Sequence, residues 1–178
     1  MRINRLAGTV GPPCAALVVA VGLPACGGTH TFSNSAMSIS FRYPSGLRAG
    51  KLASIGRHAG ASAPAKALIG VDRDNILLIE RFTLEIPTTQ ANLPKLRQAV
   101  DRVVSALLGG QLSGLPTTFN GLPGVSYRDS SSGDGTTSQL NYVFVAGAAY
   151  ELDCQWTAKH ESEIKHACAQ MKATIKKA

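Results

Sequence analysis

Two stretches of this 178-residue chain, residues 76–79 and 140–145, are apolar on both faces of a strand's two-residue period, with Asn141 the polar exception in the second. A strand of that kind belongs in the middle of a sheet whose two faces are both covered. Two segments supply the covers. Leu93, Leu96, Val100, Val103 and Leu107 recur at helical spacing and end at Gly109-Gly110; Ile164, Cys168, Met171 and Ile175 form a second stripe. Glu161 and Glu163 lie near the start of the second stripe and Lys172, Lys176 and Lys177 near its end, as the helix dipole favours. The expected fold class is therefore α+β, an antiparallel β-sheet sandwiched between two helices.

The remaining strands follow from period and turn chemistry. Met37, Ile39, Phe41 and Tyr43 alternate with Ser38, Ser40 and Arg42, which predicts a half-buried strand stopped at Pro44. Residues 45–65 are rich in Gly, Ala and Ser and read as a loose loop with a short strand at 52–55. Residues 66–71 and 76–86 flank the turn-forming Asp72-Arg73-Asp74-Asn75, which predicts an antiparallel pair. Residues 117–119 and 125–127 flank Asn120-Gly121-Leu122-Pro123-Gly124, a tight connection. Residues 130–137 read as a flexible loop before a strong pair at 138–146 and 148–157.

The N-terminus points to export. Arg2 and Arg5 precede an apolar run at residues 15–23, the layout of a signal peptide. As a helix that run spans roughly 14 Å, about half of the ~30 Å hydrocarbon core, too short for a spanning anchor. Leu23-Pro24-Ala25-Cys26 followed by Gly27-Gly28 reads as a lipobox, in which the Cys26 thiol is linked to diacylglycerol and the chain is cut before it. Pro24 is unusual there, and plain secretion is the competing reading; Cys14 is discarded with the signal. The organisation expected is a lipoprotein signal peptide at 1–25, a polar tether at 26–36 and one domain at 37–178, on the extracytoplasmic face of the cell membrane.

The net charge of +7 falls to about +5 once Arg2 and Arg5 leave, with sixteen basic residues against eleven acidic ones. That balance favours anionic headgroups or acidic envelope polymers, although the scattered placement serves solubility as well. A nucleic-acid partner is not expected, because the compartment is wrong and no basic run is interleaved with aromatics.

Tyr150, Leu152, Cys154 and Trp156 share one strand face, and Cys168 lies on the apolar stripe of the following helix. Both thiols thus face one seam, and the exported compartment permits oxidation. This predicts a Cys154–Cys168 disulfide closing a loop of about 15 residues, worth roughly 3 kcal/mol in the chain-entropy model. A redox pair or metal ligands would need CxxC spacing or a neighbouring ligand set, which the sequence lacks.

A resemblance rests on four segments in order: Ile39-Ser40-Phe41-Arg42-Tyr43-Pro44-Ser45-Gly46; Asn120-Gly121-Leu122-Pro123-Gly124-Val125-Ser126-Tyr127; Tyr142-Val143-Phe144 leading to Tyr150-Glu151-Leu152-Asp153-Cys154; and Ala167-Cys168. With the lipobox they resemble bacterial lipoproteins of the PsbP-like fold. Relatives often carry Trp after the Pro-x-Gly turn, where this chain has Leu47. The resemblance implies an α/β/α sandwich acting as a binding or assembly module, with no catalytic residues to carry over; function belongs to surface sites, not to the fold.

No GxSxG elbow, phosphate-cradling glycine loop or HExxH helix is present. His160 and His166 point in different directions on one helix, while Glu163 and His166, three apart, are placed to meet as a solvated pair. Asp72 and Asp74 read as turn residues, residues 130–132 offer hydroxyls without a base, and Arg57 and His58 stand in the loosest region as candidate pocket-mouth residues. No cofactor or metal is expected. The leading expectation is a non-enzymatic, lipid-anchored module that binds an envelope protein or polymer. The alternative is a carrier of an apolar or glycolipid ligand, and a hydrolase built from scattered residues is a third reading.

Overall fold

The computed structural model describes residues 27–50 and 65–178. The signal segment with Cys14 and Cys26, the short strand expected at 52–55, and Arg57 and His58 lie outside the described residues.

A large antiparallel sheet forms the middle of the domain. Its strands are β3 (Arg48–Gly50), β4 (Ala65–Gly70), β5 (Ile76–Thr83), β6 (Leu115–Phe119), β7 (Leu122–Ser126), β8 (Ser130–Ser131), β9 (Thr136–Val145) and β10 (Ala148–Thr157). Their order is β3-β4-β5-β10-β9-β7-β6, with β8 paired to β9. The doubly apolar segments fall in β5 and β9, on either side of β10. Type I′-like turns close two hairpins: Asn120 and Gly121 take φ of 49° and 80°, and Ala146 and Gly147 take 39° and 82°.

The two faces have separate cores. On one face Ile79, Val143, Tyr150, Leu152 and Trp156 pack with Ile164, Cys168 and Met171 of helix α2 (Glu161–Thr174). On the other, Leu96, Val100 and Val104 of helix α1 (Leu93–Leu108) pack with Tyr127, Leu140, Tyr142 and Phe144. The fold is the α+β sandwich expected from the doubly apolar strands.

Local differences from the expectation have physical causes. On α1 the buried residues step by four, and such a row is inclined to the helix axis. Val103 and Leu107, expected in the stripe, therefore turn outward at 59% and 66% exposure. Leu122, Pro123 and Gly124 belong to β7 rather than to the connection, because Asn120-Gly121 alone completes the turn. Ser130 and Ser131, expected in a loop, pair with β9. Lys176 and Lys177 do not extend α2; the helix stops at Thr174, Ile175 is extended and fully buried, and the two lysines form β11 (Lys176–Lys177).

The stretch expected as a polar tether at 26–36 is corrected over most of its length. Strand β1 (Thr29–Asn34) pairs antiparallel with β2 (Ile39–Pro44), and β11 pairs with the other side of β2, giving a three-stranded sheet. Two alternate ring side chains fasten β1: Phe32 stacks on Phe41 at 4.8 Å between centroids, and His30 lies 5.6 Å from Tyr43. Met37 sits in the intervening turn, fully buried, its carbonyl accepting the Tyr150 hydroxyl.

Candidate functional site

A groove of about 600 Å³ lies between the first turns of α1 and the β6–β7 hairpin. Pro94 stands in the first turn of the helix, where a missing N–H costs no hydrogen bond. Leu93, Pro94 and Arg97 form one wall, Pro116 and Thr118 of β6 the other, and Val125 and Phe144 the floor. The floor comes from alternation: Pro116, Val125, Tyr142 and Phe144 share the sheet face that α1 covers. Gly124 lets the hairpin close beneath it, since a Cβ there would lie 2.5 Å from the Phe119 ring and closer still to the Tyr142 carbonyl oxygen.

Arg97 is the charged residue of the lining, and among the described residues it makes no ion pair. Asp101, one turn later, is already engaged: it accepts the Tyr127 hydroxyl at 2.6 Å and the Gly114 N–H at 2.9 Å. Burial and the adjacent Asp101 carboxylate hold the Tyr127 phenol well above its ordinary range, so it stays a proton donor. The groove therefore presents apolar walls, threonine hydroxyls and one guanidinium, a set suited to holding an apolar segment that carries an acceptor or a negative group.

Beside α1, on the part of the same face formed by β5 and β10, three carboxylates share the surface. Glu80 and Glu151 stand directly opposite each other and Asp153 lies two residues further along β10. Burial pushes the Glu151 and Asp153 carboxyls above their usual range, against the hydrogen bonds from Tyr142 to Glu151 and from Ser138 and Gln155 to Asp153. Lys66 pairs with Glu80. Among the described residues no group of three or more His, Cys, Asp or Glu side chains is arranged to hold a metal ion.

The residues singled out in the sequence lie elsewhere. Cys154 and Cys168 are joined at S–S 2.04 Å across the seam between β10 and α2, both buried. Glu163 meets His160, not His166: His160 Nδ1 lies 3.0 Å from Glu163 Oε2, because the residue before the helix folds over its first turn. Asp72 accepts from the Asp74 N–H at 3.0 Å and the Asn75 side chain at 2.8 Å, bonds that hold its carboxyl below the usual range. Ser132 bonds Asp134 and the Thr136 carbonyl within its own turn. None of these joins the groove. Arg97 and the carboxylates escaped the sequence reading; the available signal was a polar residue at an inward position of an otherwise apolar strand or helix.

No protein-family model matches the sequence, and none of the curated proteins matches it. Solved structures do. The solution structure of cyanobacterial PsbP (CyanoP) from Synechocystis sp. PCC 6803 aligns with a TM-score of 0.55 at 14% identity, over 91% of this chain and 99% of that one. A crystal structure from Bacteroides thetaiotaomicron aligns with a TM-score of 0.56 at 10% identity, over 83% of this chain and 48% of that one, so the chain spans about half its length. At these identities the likeness concerns the fold: the chain has the PsbP-like fold.

Proposed function

We propose that this chain is a lipid-anchored, non-catalytic binding module of the cell envelope, held through Cys26 on the extracytoplasmic face of the membrane and using the groove between α1 and the β6–β7 hairpin to hold part of an envelope protein or polymer. The observation that carries the reading is the groove itself, which has a size typical of ligand sites and few polar groups in an apolar lining. Its one guanidinium, unpaired among the described residues, suits an acidic or hydrogen-bond-accepting partner. The lipid anchor rests on the lipobox sequence and on the position of the domain directly after it.

A photo-crosslinking residue in place of Thr118, with a second at Ser33 on the far sheet as control, tests the binding role in native membranes. A recurrent neighbour captured at 118 and not at 33 supports it. Capture at both sites, or at neither, overturns the groove as the binding surface. Intact mass of the same preparation reads the acylation of Cys26 independently. A second reading, a carrier of an apolar or glycolipid ligand, draws on the apolar floor formed by Val125 and Phe144. Lipid released from the natively purified protein, and lost with Val125→Asp, would favour it over a protein or polymer partner.

A further inference from the structure

Exposed apolar side chains are unevenly distributed over the described residues. Of eight large ones, five belong to the end of α1 and the return to β6: Val103, Leu107, Leu108, Leu112 and Leu115, with Leu115 at 64% exposure. A cluster of this kind marks an interaction surface rather than the scattered leucines of an ordinary exterior. The return segment is held against the helix. Ser105 donates its hydroxyl to the Leu112 carbonyl at 3.3 Å and accepts the Leu112 N–H at 2.9 Å, and Asp101 accepts the Gly114 N–H. These bonds fix Leu112 and the return segment beside the end of α1, so that the exposed leucines share one ridge.

The register shows which end of the sheet the ridge occupies. Strand β10 runs from Ala148 to Thr157, and α1 starts near the Ala148 end, where Leu84 and Thr88 bond Gly147. Val104, near the other end of the helix, joins the core with Tyr127 and Leu140, and Leu140 stands opposite Asp153. Leu107 and Leu108 lie about one helical turn, ~5 Å, further on toward the Thr157 end. The first described residues lie at that end as well. The Gly28 carbonyl accepts the Ser45 N–H at 2.8 Å, Gly46 lies against Glu163 in the first turn of α2, and α2 follows directly from Thr157. Val71, 42% exposed beside the β4–β5 turn, adds an apolar side chain there, because Asn75 of that turn accepts the Thr157 N–H.

We propose that this end of the domain seats on a phospholipid bilayer, with the ridge from Val103 to Leu115 entering the boundary between headgroups and acyl chains. The proposal rests on the lipid-anchored reading above, which brings a bilayer to the N-terminal end of the domain. The charges immediately beside the ridge agree with it. Arg102 and Arg128 are basic and neither is ion-paired among the described residues, and Asp101 is engaged internally; acids of this end, Asp72, Asp74, Glu161 and Glu163, belong to the β4–β5 turn and the first turn of α2, off the ridge. Apolar side chains flanked by cations are what an interfacial helix offers an anionic membrane surface. The ridge would act with the acyl anchor and fix the orientation of the domain, leaving the groove at the first turns of α1 facing away from the lipid.

The test uses the full protein, processed and purified from membranes and reconstituted in vesicles of equal parts phosphatidylglycerol and phosphatidylcholine. Leu107→Cys and Leu112→Cys each carry an environment-sensitive dye, and Ile86→Cys, exposed at the opposite end, is the reference. The expected result is a blue shift and quenching by nitroxide-bearing lipid at 107 and 112, and quenching only by an aqueous reagent at 86. Dyes at 107 and 112 that behave like the one at 86 overturn the proposal, as does lipid quenching at all three. Intact mass separates the two readings. An acylated Cys26 without lipid contact at 107 refutes the ridge and keeps the anchor; an unacylated Cys26 with lipid contact at 107 refutes the anchor and keeps the ridge.

Discussion

Replacing Glu151 by Gln should stabilise the domain at neutral pH. Glu151 faces Glu80 directly across β5 and β10, and a directly opposed like-charge pair is unfavourable by about 0.2–1 kcal/mol. Burial is the first cause of its raised carboxyl pKa, so the charged form also bears a desolvation cost. Glutamine keeps an oxygen to accept the Tyr142 hydroxyl and removes the charge. The expected gain at pH 7 is thus about 1 kcal/mol, the upper end of the pair effect. Its pH dependence follows from proton linkage. A carboxyl with a raised folded pKa binds more protons folded than unfolded, so its stabilisation is complete below the unfolded value of roughly 4 and is lost as the pH rises through the folded value.

In the wild type, stability should therefore increase as the pH falls from 7 toward 5, with Asp153 contributing in the same sense. In Glu151→Gln that increase should shrink, and the two curves should converge near pH 4. Urea unfolding at half-unit pH intervals, with the slope on urea checked for constancy, measures both. A variant less stable than wild type at pH 7, or a difference that does not change with pH, would refute the reasoning and mean that Lys66 already neutralises the pair.

Removing the disulfide as Cys154→Ala with Cys168→Ala should cost about 3 kcal/mol for the loop it closes, where the sequence separation is 14; urea unfolding with and without reductant should give the same loss. Gly124→Ala should destabilise by about 1–3 kcal/mol, as overpacking does, since its methyl meets Phe119 and the Tyr142 carbonyl; an unchanged urea midpoint would mean that β7 shifts freely. Phe32→Ala should weaken the hold of β1 on β2 by about 0.5–1.5 kcal/mol beyond lost area, seen as faster proteolytic clipping between residues 29 and 36 while the midpoint for the large sheet barely moves.

Much of the large sheet was legible because its strands carry strong periods. The pair around Asp72 to Asn75, the Asn120-Gly121 turn and the cysteines facing one seam all follow from local chemistry that tertiary contacts reinforce. The small sheet was hidden for a reason of composition. In β1 only His30 and Phe32 mark the alternation, and their partners are rings on β2, so the strand owes its existence to a neighbour that its own residues do not reveal. The outward Val103 and Leu107 were misread because a helical stripe defines a face but not the angle at which the helix crosses its sheet. The groove was illegible altogether: Arg97, Pro116, Val125 and Phe144 lie on four different elements, and only the closed hairpin brings them together.

Strand β1 also determines how the domain answers to force. Its first residue pairs with Pro44, at the end where the chain continues from β2 into the rest of the domain. A pull applied through Gly28 therefore opens the β1–β2 ladder like a zipper, one pair at a time, and does not load all six pairs in shear. Unzipped to Met37, the chain gains roughly 30 Å of slack at an extended length of about 3.4 Å per residue, while the disulfide and the large sheet stay untouched. The small sheet thus works as a reel, giving out line under load and taking it back when the Phe32 and Phe41 rings meet again.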